Sequence, residues 1–253
     1  MTTEITSSTN PSLKVWRSLQ SARGIKRHHL AIVSGERIVS DLLRSHTGDI
    51  QACLISNRFQ GETPELPGAV KLFRLEDALF QELDMFGTHS PLLVVRVPEI
   101  EPFRPSDTPA PLTLFLPFQD PANLGAVIRS AAAFEVPAIV LLEEAASPYH
   151  PKSIRASGGA VFSVKLFRGP SIRETDIPGV PLIGLSSDGE PLDAFTFPAP
   201  CALLPGMEGP GLPDIPGLAA KLAIPMSPAV ESLNATVAVS IALYEWRMQT
   251  RKR

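Results

Sequence analysis

Cysteine is almost missing from this chain. Its 253 residues include two, Cys53 and Cys201, and neither belongs to a CxxC pair. Two isolated thiols cannot make a disulfide framework, so the composition points to a reducing cytoplasm. There the sequon Asn234-Ala235-Thr236 is a chance match, because glycosylation needs the secretory route. Histidine is scarce too: the five, at 28, 29, 46, 89 and 150, show no metal-ligand spacing and no HExxH, which argues against a zinc or di-metal enzyme. No apolar run approaches the roughly 18 residues of a membrane span. The opening MTTEITSSTNPS lacks the apolar centre of a signal peptide, so residues 1–11 are expected to form a short disordered lead. Two nucleotide-binding signatures are also absent. Without GxGxxG or a glycine loop ending in Gly-Lys-Ser/Thr, a dinucleotide-dependent oxidoreductase and a P-loop enzyme are both disfavoured.

What is present is an ordinary globular composition, 44% hydrophobic and 19% charged, long enough for one large domain or two small ones. A net charge of −3 does not advertise nucleic-acid binding, but the charge is unevenly spread. Between Lys14 and Arg44 seven basic residues stand against two acids, Glu36 and Asp41, and the chain ends with Arg247, Arg251, Lys252 and Arg253. A local basic face can meet phosphates even on an acidic protein. A solvated surface explains either cluster equally well.

Residues 12–97 read as a small α/β unit. Helices are expected at Leu13–Leu19, around Ile38, Leu42 and Leu43, and at Glu76–Leu83; strands at His29–Val33, Ala52–Ile55, Val70–Phe73 and Leu92–Val97. Residues 98–111 hold five prolines in fourteen positions, which suits an extended, semi-rigid spacer and marks a domain boundary. Residues 112–253 then repeat strand, polar or glycine loop, helix. Strands are expected at Leu112–Phe118, Ala138–Leu142, Val161–Leu166, Pro181–Leu185, Cys201–Leu204 and Leu222–Ile224, with Pro181–Leu185 running into a loop at Ser186–Glu190. This alternation implies a parallel sheet with its ligand site at the carboxyl ends of the strands.

Three loops of this second part carry candidate chemistry. The first, Gln119–Gly125, has Asn123 at the entry of a helix, where a cap or turn role is the simplest account. Arg129 follows among Ala, Val, Ile and Phe, and an arginine in so apolar a segment calls for a partner. The second, Gly206-Met-Glu-Gly-Pro-Gly211, has three glycines, which let backbone approach a ligand or turn sharply; Glu208 could order the loop or bind a hydroxyl. The third runs from Ile224 to Asn234 into a long C-terminal helix. Ile224-Pro225-Met226 offers an apolar wall for an adenine ring, while Glu231, Ser232 and Asn234 stand where helix caps stand. Residue types alone lead to an α/β protein binding a nucleotide-like ligand at three loops, with no phosphate cradle and no metal.

The three loops resemble, in order and content, the three motifs of the SpoU (TrmH-like) family of RNA ribose methyltransferases in the SPOUT superfamily. Asp120-Pro-Ala-Asn-Leu-Gly-Ala-Val-Ile-Arg129 resembles the first, Leu204-Pro-Gly-Met-Glu-Gly-Pro-Gly-Leu212 the second, and Ile224-Pro-Met-Ser-Pro-Ala-Val-Glu-Ser-Leu-Asn234 the third. Lys152–Ala160 looks like the segment that precedes the family's middle strand. The likeness covers residues 112–249, and residues 12–97 are similar, more weakly, to the family's L30e-like RNA-binding domain. Met207 and Pro228 depart from the family, which usually has small residues there.

The resemblance implies an α/β protein with a C-terminal SPOUT-type parallel sheet tied in a deep trefoil knot, preceded by a small L30e-like domain. It implies a homodimer, S-adenosylmethionine as cofactor, and the 2′-hydroxyl of a nucleotide in structured RNA as methyl acceptor, with ribosomal RNA favoured over tRNA. Leu185, Gly206, Ile224, Met226 and Leu233 take the cofactor positions; Asn123, Arg129, Glu208, Ser232 and Asn234 take the catalytic and RNA-binding ones. The alternative is a non-catalytic RNA-binding or ribosome-assembly factor that kept the fold.

Overall fold

The computed structural model describes residues 2–45, 47–68, 70–104 and 110–251. They divide into two compact units, Met1–Glu99 with Ser147–Gly159, and Ile100–Ala146 with Ala160–Arg253. His46, Lys252, Arg253 and residues 105–109 of the proline-rich spacer lie outside the described residues. Among the described residues no helix is long and apolar enough to cross a membrane.

The first unit runs β1 (Thr2–Ile5), α1 (Pro11–Ser18), α2 (Ala22–His28), β2 (Leu30–Val33), α3 (Glu36–Ser45), β3 (Ile50–Ser56), β4 (Lys71–Leu75), α4 (Asp77–Gln81) and β5 (Leu92–Arg96). Its sheet has the order β1-β4-β3-β5-β2. Strands β1, β4 and β3 are parallel, and β5 is antiparallel to β3 and β2. Helix α1 begins where Asn10 Oδ1 accepts the N–H of Ser12 at 2.9 Å, with Pro11 in the first turn, where its missing N–H loses nothing. Trp16 on its inner face meets Phe73 edge-on at 5.1 Å.

The expected disordered lead is instead a strand. Thr2–Ile5 pairs with Leu72–Leu75, and Ile5 is fully buried with Leu13, Leu75 and Phe80 in the core of the unit. Low apolar content across twelve residues hid one strand that needs a single inward side chain to dock.

The second unit continues with β6 (Leu112–Leu116), α5 (Pro121–Ala133) and β7 (Ala138–Leu141). The chain then passes through α6 (Pro151–Ser157), which folds with the first unit, and returns as β8 (Leu166–Arg168), β9 (Leu182–Pro191), β10 (Cys201–Pro205), β11 (Leu218–Ala223) and α7 (Ala235–Arg251). All six strands are parallel, in the order β11-β9-β10-β6-β7-β8. Strands β6, β7 and β10 are buried along their whole length, as a parallel sheet covered on both faces requires. Cys53 and Cys201 are buried in the two cores, and burial pushes both thiols up to about 12, which disfavours the thiolate form of each.

Three segments differ from the sequence expectations. Residues 121–125 are already helix: Asp120 is the cap of α5, its Oδ1 accepting the N–H groups of Ala122 at 2.8 Å and Asn123 at 2.9 Å. The expected strand Val161–Leu166 is a short 3-10 turn at Ala160–Phe162, closed by Ser163 N–H on Ala160 O at 2.9 Å, with β8 starting only at Leu166. The loop expected at Ser186–Glu190 is the second half of β9, paired with β11 at Glu190 and Pro191. Gly189 permits that pairing, since a Cβ there would lie 2.5 Å from the Lys221 backbone. In the spacer, Glu101–Phe103 run along β8 through Arg168 N–H to Glu101 O and Phe103 N–H to Arg168 O, both at 2.8 Å.

Ile5→Ala should lower the unfolding free energy by about 2–5 kcal/mol, read from chemical denaturation. A lead without structure would leave it unchanged.

Candidate functional site

Strand β10 ends at Pro205 beside Leu185 of β9, while β11 ends at Ala223 beside the end of β9 at Pro191, and a cavity of about 440 Å³ opens there. Leu185 comes from the middle of β9, Gly206 and Glu208 from the loop after β10, and Ile224 and Met226 from the segment after β11. Ser232, Leu233 and Asn234 join from the approach to α7, and Asn123 from the first turn of α5. Nine of the residues expected to form a site thus line one cavity, eight of them from loops after strands or from helix starts and Leu185 from within β9.

Glu208 organises the cavity mouth. Its carboxylate accepts the N–H groups of Gln119 at 3.2 Å and Asp120 at 3.4 Å, and the side-chain amide of Asn123 at 3.2 Å. On the other side, Asn123 Oδ1 accepts the hydroxyl of Thr236 at 3.3 Å. The relay Glu208–Asn123–Thr236 joins the loop after β10 to α5 and α7. A second bridge, Ser130 to Ser240 at 2.8 Å, ties the same two helices further along. The loop after β10 folds back on itself, with Met207 and Gly211 exchanging N–H···O bonds of 2.9 and 3.0 Å. Gly206 is required for this closure, because a Cβ would sit 2.5 Å from Gly211 and Leu212 backbone atoms. Met207 packs with Leu212 against the core, which accommodates its departure from a small residue.

The sequence model for the SpoU rRNA Methylase family matches residues 112–244. The chain belongs to this family. A Syntrophobacter fumaroxidans protein named ribosomal RNA small subunit methyltransferase G 2 is 43% identical over 96% of this chain, which spans 49%, about half, of that relative. The 23S rRNA (guanosine(2553)-2'-O)-methyltransferase RlmP of Bacillus subtilis is 26% identical, over 96% of this chain and 99% of its own length. Among solved structures, the SpoU methyltransferase AviRb from Streptomyces viridochromogenes in complex with AdoMet is similar, with a TM-score of 0.77, 26% identity and coverage of 96% and 98% of the two chains.

Within this SpoU unit, Asn234 keeps its capping role: its Oδ1 accepts the N–H groups of Thr236 at 2.9 Å and Val237 at 3.3 Å while the residue lines the cavity. Ser232 lines the cavity as an exposed side chain, and Glu231 stays outside it. Arg129 does not line it. Six residues beyond Asn123, it is turned about 240° around the helix, onto the exposed side of α5, opposite the buried Leu124, Val127, Ile128 and Ala131. The apolar setting that suggested a partner for it is one face of an amphipathic helix, and the other face explains an arginine without one.

Ser186 and Ser187 stand directly after Leu185, in the expected loop that the resemblance implies near the cofactor, and both line the cavity. Thr236 is not among the expected site residues; its place two residues after the Asn234 cap is the signal available for it. Beside the serines, Asp188 is held below the usual carboxylate range, by the Ser186 hydroxyl first and by Lys221 at 3.3 Å second. Among the described residues, the cavity lining of this SpoU unit contains one carboxylate, Glu208, with several hydroxyls and amides, and neither Lys nor Arg.

Thr236→Val should lower stability by about 1 kcal/mol, because it leaves the Asn123 carbonyl without its donor. Thr236→Ser should restore most of the loss, and urea denaturation of the two variants separates the hydroxyl from packing.

Proposed function

We propose that the chain is an S-adenosylmethionine-dependent RNA methyltransferase acting on a ribose 2′-hydroxyl. The observation that carries this reading is the meeting of all three motif loops around one cavity whose lining, among the described residues, has a carboxylate and no cation. Such a lining disfavours a polyphosphate and suits a ligand bearing a sulfonium and an ammonium charge. Leu185, Leu222, Ile224 and Leu233 give an apolar wall for an adenine, and the volume falls in the range of about 300–1,000 Å³ common for small-molecule sites. The residues present therefore fit the cofactor. The Bacillus subtilis relative is named for 2′-O-methylation of a guanosine in 23S rRNA, and AviRb was solved in complex with AdoMet.

When bound, S-adenosylmethionine supplies a methyl group already activated by its positive sulfur, so placing the acceptor in line provides much of the acceleration. The chain's own residues do the placing. Glu208 is occupied in holding Asn123 and the start of α5, so its role is to shape the site. Ser232 and Asn234, at the rim, orient the ribose. Arg129 is permanently charged and serves as an anchor for phosphate and for the developing alkoxide, not as a base.

Arg129 reaches that role only when RNA or a second copy lies against the exposed side of α5. A homodimer through α7 is supported by Val237, Ile241 and Tyr244, which recur on one side of the helix and are 46%, 36% and 52% exposed. We extend the reading to ribosomal RNA as substrate, to a trefoil knot in the second unit, to an L30e-like character of the first, and to a cytoplasmic setting. The position of Arg129 outside the cavity favours one competing reading, a non-catalytic RNA-binding or assembly factor.

Incubation with labelled S-adenosylmethionine and total RNA should transfer label to ribose, and Arg129→Ala should lower the rate by about 100- to 1,000-fold with cofactor binding intact. Cofactor binding without any transfer to RNA would favour the assembly factor. Ile241→Glu should shift the protein from dimer to monomer in light scattering; a wild-type monomer would remove the dimer from the proposal.

A further inference from the structure

Two stretches of the chain carry cations and no acid. Residues 5–35 hold Lys14, Arg17, Arg23, Lys26 and Arg27 without an Asp or Glu, and residues 145–173 are equally free of acids. By sequence position the second stretch belongs to the methyltransferase half, yet Ser147–Gly159 folds into the first unit. The ring of His150 fixes it there. Nδ1 accepts the N–H of Lys152 at 3.2 Å, which leaves Nε2 to donate to the Gln20 carbonyl at 3.1 Å, in the turn between α1 and α2. The start of α6 and the start of α2 are thereby joined through one imidazole.

On α2, Arg23, Lys26 and Arg27 recur at i, i+3 and i+4 and are exposed on one side, while Gly24 and Ile25 are buried on the other. Lys152 is exposed on α6. None of these four cations forms an ion pair with another described residue. Two neighbouring cations are already engaged: Arg17 with Glu82, and Arg155 with the ring of Phe86 at 4.4 Å. A surface with unpaired cations and no acid on either helix has the charge to meet a run of phosphates.

We infer that α2 and the inserted α6 together form a phosphate-binding face for the RNA substrate, with Arg23, Lys26, Arg27 and Lys152 as its contacts. The inference rests on the methyltransferase reading for the identity of the polyanion. It assigns part of substrate binding to a segment that lies between two strands of the catalytic sheet. The contacts go to the backbone, so they position RNA without reading its bases.

The test uses the full chain and purified ribosomal RNA, with binding measured from about 50 to 300 mM KCl. Lys152→Gln should lower the slope of log affinity against log salt by about 0.7 to 0.9, and the triple change Arg23→Gln, Lys26→Gln, Arg27→Gln by about three times that. Melting temperature and S-adenosylmethionine affinity should stay at wild-type values. Wild-type RNA binding with unchanged slopes in both variants would overturn the phosphate face and leave the methyltransferase reading standing. Failure of the wild-type protein to bind RNA would overturn both.

Discussion

One carboxylate holds the candidate site together. Glu208 sits after β10, next to β6 in the parallel sheet, so the loops leaving the two strands emerge side by side. Its oxygens accept two backbone N–H groups from the turn after β6 and the amide of Asn123 in the first turn of α5. A charged acceptor makes such bonds stronger than neutral ones, and these donors would otherwise stand unpaired at a helix entrance. With Asn123 oriented from below, its carbonyl is free to take the Thr236 hydroxyl of α7. The rim of the cavity on that side is a consequence of this chain of bonds.

Two local surfaces, one in each unit, differ in the sign of their charge. The cavity in the second unit has an acid and no base in its lining, whereas the helices α2 and α6 of the first carry bases and no acid. The net charge of −3 averages over both and describes neither. Charge at this scale acts locally because screening in physiological salt limits it to about 8 Å. A small cationic ligand and a polyanion can then be served by one acidic protein.

Much of the second unit was legible in the residues. The buried strands β6, β7 and β10 are short apolar runs between turn signals, and such runs can be read one at a time. The motif loops were also legible, because a glycine loop or a helix cap keeps its residue types within about ten positions. The strand β1 was not, since Thr2–Ile5 buries only Ile5 and owes its form to β4, some seventy residues away. Nor was the second half of β9, whose polar sequence Ser-Ser-Asp-Gly-Glu reads as a loop until β11 pairs with it. The side of α5 that carries Arg129 was not legible for a related reason. Linear composition cannot separate the buried side of α5 from the exposed one when small alanines occupy both.

The sequence by itself determined the parallel architecture of the second unit, the family and nine of the ten residues that share the cavity expectation. Those features are written in local patterns: apolar runs, caps, and spaced glycines. Only the tertiary structure decided that Glu208 reaches Asn123, that Thr236 completes the relay, and that Arg129 faces away from the cavity. It also decided that residues 147–159 belong with the first unit. Each of these depends on which distant segments lie side by side, and that follows from strand order and helix phase, which no window along the chain contains.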